Sequence, residues 1–124
     1  MNAGDAMAGG GRRQAGALAM LAALSGAIAV AAGAFAAHGA QGAAAEWLRT
    51  GAQYQMLHAL AALAAVRMGA RGPGWCFVAG GAVFAGTLYL MASGLPRWLG
   101  AVTPLGGLTL IAGWLWLAWR SARE

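Results

Sequence analysis

Residues 50–66, TGAQYQMLHALAALAAV, decide how often this chain crosses a membrane, and with that its fold. Two glutamines, a tyrosine and a histidine occupy the first half of the stretch, and alanine and leucine fill the second. Counted as a crossing, it is the second of four apolar runs. Counted as a surface segment, it leaves three, and the charges on either side lose their order.

The rest of the chain argues for a membrane. Of 124 residues, 60% are hydrophobic and 9% charged, against roughly 25% charged in a soluble domain. The other runs are residues 15–37, AGALAMLAALSGAIAVAAGAFAA, residues 75–94 and residues 99–119. At ~1.5 Å per residue each approaches or exceeds the ~30 Å of hydrocarbon. The first run, at 23 residues, is longer than the ~7–15 of a cleaved signal core, so it is expected to stay as a helix.

All eight basic residues are arginines, and they are sorted by loop. Arg12 and Arg13 precede the first run, Arg67 and Arg71 separate the second from the third, and Arg120 and Arg123 follow the fourth. Only Arg49 and Arg97 lie in the other two loops. With four crossings, six arginines share one side. The positive-inside rule then places both termini and the middle loop in the cytoplasm. The net charge of +5 therefore reads as topology. It forms no stripe with interleaved aromatics, so nucleic acid is not an expected partner.

The expected fold is all-α: an integral membrane four-helix bundle with cytoplasmic N- and C-termini. Residues 1–14 are expected to be a disordered cytoplasmic tail, and 15–120 a single transmembrane domain. Its spans fall at about 15–37, 52–68, 75–94 and 99–119, with an interfacial helical extension over 43–51. A helix from 43 to 68 would be about 39 Å long, so its first part lies outside the hydrocarbon. At 100° per residue Glu46, Arg49, Thr50 and Gln53 share one side, and Tyr54 and His58 continue that stripe. His58 sits about 6 Å below the interface if Tyr54 marks it, and about 16 Å below if Trp47 does. In either place an ionisable ring is expected to face other helices and be hydrogen-bonded.

Four blocks carry a family resemblance: GAFAAHGA (33–40), YQMLHALAAL (54–63), FAGTLYLMASG (84–94) and TPLGGLTLIAGW (103–114). In this order and spacing the chain resembles the YgdD-like family of small bacterial inner-membrane proteins. That family is also known as domain of unknown function family 423, with eukaryotic relatives called transmembrane protein 256. The resemblance covers about Gly16 to Trp119 and implies a multi-pass, four-helix protein of the inner membrane. It brings no activity with it. Ala36 stands where the family usually has glycine and Ala85 where serine is common; both remain small, and the second lacks a hydroxyl.

Small residues mark the expected helix contacts. Ala22, Gly26, Ala29 and Gly33 form one stripe, with Gly81 and Gly86 in the third run and Gly106, Gly107 and Gly113 in the fourth. Lipid tails are as apolar as leucine, so close van der Waals contact has to hold such helices together. Thr103 and Pro104 suit a helix start. The fourth helix is expected to begin a turn earlier, near Trp98, and to kink at Pro104. Trp114, Trp116 and Trp119 are expected to form an aromatic belt at the inner interface.

The candidate polar site is His38, Glu46, Gln53, Tyr54, Gln55 and His58. No catalytic set is expected, because no nucleophile stands at motif spacing from a base. No structural metal is expected either, because two histidines fall short of four zinc ligands; no cofactor is assigned. The leading expectation is a non-catalytic membrane component that associates with itself or with other membrane proteins. One alternative is a proton or small-solute conduit using His58. The other is a haem or metal redox protein using His38 and His58.

Overall fold

The computed structural model describes residues 2–124 of the chain. Four α-helices and one short 3-10 helix make up the fold: α1 Ala3–His38, α2 Gly42–Arg67, α3 Arg71–Ala92, the 3-10 turn Arg97–Ala101, and α4 Thr103–Ala122. By length and apolarity α1, α3 and the segment Arg97–Ala122 can each cross a membrane. The polar side chains of α2 keep it out of that set, although its 26 residues suffice. Its course follows from its neighbours. Arg71, at the start of α3, donates to the Gln14 side chain at 3.1 Å, so α2 begins beside the far end of α1 and returns to its near end.

Three expectations change. In place of a disordered tail, α1 starts at Ala3, with the Asn2 side chain accepting the Asp5 N–H at 2.9 Å as an N-cap. A glycine-rich lead-in becomes helical once a cap and a contiguous downstream helix have met the nucleation cost. Met1 lies outside the described residues. Helix α4 has no long kinked first turn: the chain forms a separate 3-10 turn, passes through Val102 and enters α4 at Thr103, with Pro104 in the first turn. Val102, and not Thr103, takes the N-cap position and has no polar side chain to cap the helix; the Thr103 hydroxyl is paired with Thr87 at 2.6 Å.

Packing is serial: α1 lies on α2, α2 on α3 and α3 on α4, with a lighter contact between α1 and α3. Helix α4 thus joins the molecule chiefly through α3, and the bundle is open on that side. The α1–α2 seam is made of small residues. Ala22 and Ala29 are buried, and a methyl added at Gly26 or Gly33 would reach the Ala59 or Ala52 methyl at 3.9 and 3.7 Å. Ala36 and Ala85 are both buried. Between α3 and α4 the backbones nearly touch. A Cβ on Gly106 would run into the Phe84 backbone and stand 2.8 Å from the Gly80 carbonyl, and one on Gly113 would meet the Cys76 Cβ at 2.8 Å. Gly107 faces Phe84 more loosely, Gly81 lies near His58, and Gly86 faces open space.

The arginine-rich end is tied by two further bonds. Arg120 donates to the Gly69 carbonyl at 3.2 Å, and Gly69 holds the α2–α3 turn with a φ of 73°, a region open to glycine at no steric cost. Arg71 also reaches the Gly11 carbonyl at 3.4 Å. The six arginines expected to share a side belong to segments that meet at this end.

Candidate functional site

The six polar residues singled out in the sequence do not form one site. His38 ends α1 and is exposed. Glu46 pairs with Arg49 on the exposed start of α2. Gln53 is exposed and Tyr54 half-exposed, whereas Gln55 and His58 are buried at 5% and 4% exposure. The helix divides them by its 3.6-residue period: Gln55 and His58 point inward, and Gln53 points out.

His58 is the buried centre. Its Nδ1 lies 2.7 Å from the Tyr54 carbonyl one turn earlier, and the Trp114 indole N–H donates to its Nε2 at 3.0 Å. A carbonyl only accepts and an indole only donates, so the pair of contacts selects the neutral ring with its proton on Nδ1. The ring lies parallel to Tyr54, at 6.2 Å between centroids, and edge-on to Trp114 at 5.9 Å. Phe77 stands 5.8 Å away and packs on Trp114 at 4.7 Å. Trp114 therefore departs from the expected interfacial belt. It reaches from α4 across the open side of the bundle to α2, although its ring stays partly exposed, as do those of Trp116 and Trp119.

Gln55 has a partner that spacing could not reveal. The Tyr89 hydroxyl donates to its Oε1 at 2.7 Å, and Gly51 makes room for the tyrosine ring: a Cβ there would stand 2.7 Å from the ring edge. Thr87 and Thr103 join α3 to the start of α4. Each pair of neighbouring helices from α2 onward thus carries one polar clasp, and no buried side-chain nitrogen or oxygen among the described residues lacks a partner. Gly51, Tyr89, Thr87 and Gly80 were absent from the residues proposed from sequence. Their signal is a match across 16 to 38 residues, which local periodicity does not hold.

His38 and His58 are not brought together. His58 lies sixteen residues into α2, about 24 Å along the axis from the end where α1 stops. Among the described residues no three potential metal-binding side chains gather. Beside His58, a groove of about 470 Å³ opens between α2 and α4, lined by Tyr54, Leu57, Phe84, Gly107, Ile111 and Trp114 among others.

Long apolar helices, a short-looped serial arrangement and polar groups satisfied inside the helix layer define a multi-pass integral membrane protein. The family described as Protein of unknown function (DUF423) matches residues 32–107, and the chain belongs to it. Its relatives include a UPF0382 membrane protein of Haemophilus influenzae, 37% identical over an alignment of 114 residues that covers 84% of this chain and 92% of the relative. The UPF0382 membrane protein YwdK of Bacillus subtilis is 38% identical over 77% of this chain and 88% of its own length. The UPF0382 inner membrane protein YgdD of Escherichia coli is 43% identical over 77% of this chain and 81% of its own. No solved structure matches the chain. The protein is a multi-pass protein of the inner membrane.

Proposed function

We propose that the protein is a non-catalytic membrane component that acts by associating with itself or with other membrane proteins, both termini facing the cytoplasm. The observation that carries this reading is the state of the buried polar groups. His58 Nε2, the Gln55 carbonyl oxygen and the Thr87 and Thr103 hydroxyls are engaged by neighbouring helices, and His58 Nδ1 is engaged by the Tyr54 carbonyl of its own helix. They serve as clasps, the use that interhelical hydrogen bonds have in a medium without a hydrophobic driving force. A relay would need His58 to exchange a proton, and either exchange breaks one of its two bonds. The arginine-rich end, held together by Arg71 and Arg120, supports a cytoplasmic placement of the termini by the positive-inside rule.

Crosslinking in native membranes, paired with proton flux in liposomes, tests this reading. It expects protein adducts and a flux equal to that of empty liposomes, unchanged in His58→Ala. Flux that depends on His58 would replace it with the conduit, and a monomer that never crosslinks would end it.

A further inference from the structure

We infer that the arginine-rich end of the bundle is a binding surface for anionic phospholipids, whose headgroup phosphates it holds around the α2–α3 turn. The inference goes beyond the associative reading and does not depend on which side of the membrane this end faces. It starts from a charge imbalance that the fold leaves standing. Arg12, Arg13, Arg67, Arg71, Arg120 and Arg123 belong to the segments that meet there, with Asp5 and Glu124 as the acidic residues of those segments. Among the described residues the ion pair is Arg49 with Glu46, at the opposite end of α2, and none of these six arginines has a carboxylate partner.

Two sets of bonds gather the charges around the short turn between Arg67 and Arg71. Arg71 reaches Gln14 at 3.1 Å and the Gly11 carbonyl at 3.4 Å, beside Arg12 and Arg13. Arg120 comes from α4 to the Gly69 carbonyl at 3.2 Å, two residues from Arg67 and two from Arg71. All three acceptors are uncharged, and the bonds occupy Nη1 of Arg71 and Nη2 of Arg120. They fix the two guanidinium groups in place without neutralising them, and the remaining N–H donors have no partner among the described residues. Such a planar fork of donors matches the paired oxygens of a phosphate.

The level of the cluster selects a lipid as its partner. Helix α3 begins at Arg71 and has 22 residues, about 33 Å, close to the ~30 Å of hydrocarbon it crosses. Its first residue therefore stands at the boundary with the headgroups. The tryptophans agree. Trp116 lies against the start of α3, where a Cβ on Gly72 would run into its ring, and the Arg123 guanidinium lies over the Trp119 ring at 4.6 Å. Both indoles are exposed, the placement tryptophan takes at a membrane boundary. Bilayer phosphates surround the protein at this level, and an acidic protein segment or a free anion would have to displace them. A zwitterionic headgroup carries a cation that the cluster repels, so the charge favours headgroups that are negative overall.

Spin-labelled lipids test the inference on the full chain. The protein is reconstituted in phosphatidylcholine vesicles, and the share of spin-labelled phosphatidylglycerol held at its surface is compared with that of spin-labelled phosphatidylcholine. The expected preference for phosphatidylglycerol is roughly threefold to fivefold, the scale that one arginine near a membrane surface supplies, falling towards parity in about 1 M salt. Arg67→Gln combined with Arg71→Gln and Arg120→Gln is expected to lower it by at least half, and Arg49→Gln with Arg97→Gln, at the other end, to leave it unchanged. Arg71→Lys with Arg120→Lys keeps both charges while altering the bonds to neighbouring segments, and should keep most of the preference. Parity in the parent chain overturns the inference, as does a preference that follows Arg49 and Arg97 instead. A preference lost in the lysine pair shows that packing carried it and overturns the electrostatic basis. Displacement of the lipid by millimolar inorganic phosphate or polyglutamate assigns the surface to a soluble anion and overturns the lipid.

Discussion

At the scale of single residues, His58 is fixed by the opposite duties of its two nitrogens, one donating within its own helix and one accepting from Trp114 in α4. Substituting it removes a link between α2 and α4. His58→Leu is expected to lower stability by about 1 kcal/mol, as an interhelical hydrogen bond in a membrane does, and to red-shift or broaden the tryptophan emission as Trp114 loses its anchor. A double-mutant cycle with Trp114→Phe, read from thermal midpoints in detergent, should show that the two losses do not add. Tyr89→Phe is expected to cost a similar amount, about 1 kcal/mol, by leaving the buried Gln55 amide without its donor; hydrogen exchange around Gln55 would report the loosening. The sequence made His58 legible as a buried, bonded ring, because an ionisable group at that depth has few alternatives. It left Trp114 and Tyr89 unassigned as partners. Local spacing says which way a side chain points and says nothing of which distant helix it meets.

Among the helices themselves, close approach is concentrated between α3 and α4, where Gly80, Gly106 and Gly113 leave no room for a Cβ. Gly106→Ala drives a methyl into the Phe84 backbone, which cannot swing aside as a side chain would. The expected cost is about 2 kcal/mol or more of overpacking, with weaker association of α4. Gly86→Ala meets open space, and is expected to be neutral or slightly stabilising through helix propensity. Thermal melts of the two variants side by side check the contrast. Both glycines were marked in the sequence as packing positions, since a small residue in a membrane helix looks the same whether or not a neighbour approaches. The α2 helix carried the opposite ambiguity. Its length and its inner apolar half identified a crossing, while its polar groups mixed those facing inward with those facing out, and only the phase of the helix separates Gln53 from Gln55.

For the whole molecule, the sorting of arginines is legible in the sequence alone. The turns Arg67–Arg71 and the ends of α1 and α4 do meet, through Arg71 with Gln14 and Arg120 with Gly69. Reporter fusions at either terminus are expected to be active in the cytoplasm and silent in the periplasm; a periplasmic signal from both would invert the orientation. The serial packing was less legible. Four apolar runs suggest a closed bundle, but a pattern of apolar residues does not record whether the last helix returns to the first.

The glycine seam also makes one contact depend on another. Helix α4 is held chiefly by α3, so a side chain that pushes α4 away from α3 also draws the Trp114 indole away from His58. The α2–α4 clasp is thereby a remote reporter of the fit between α3 and α4.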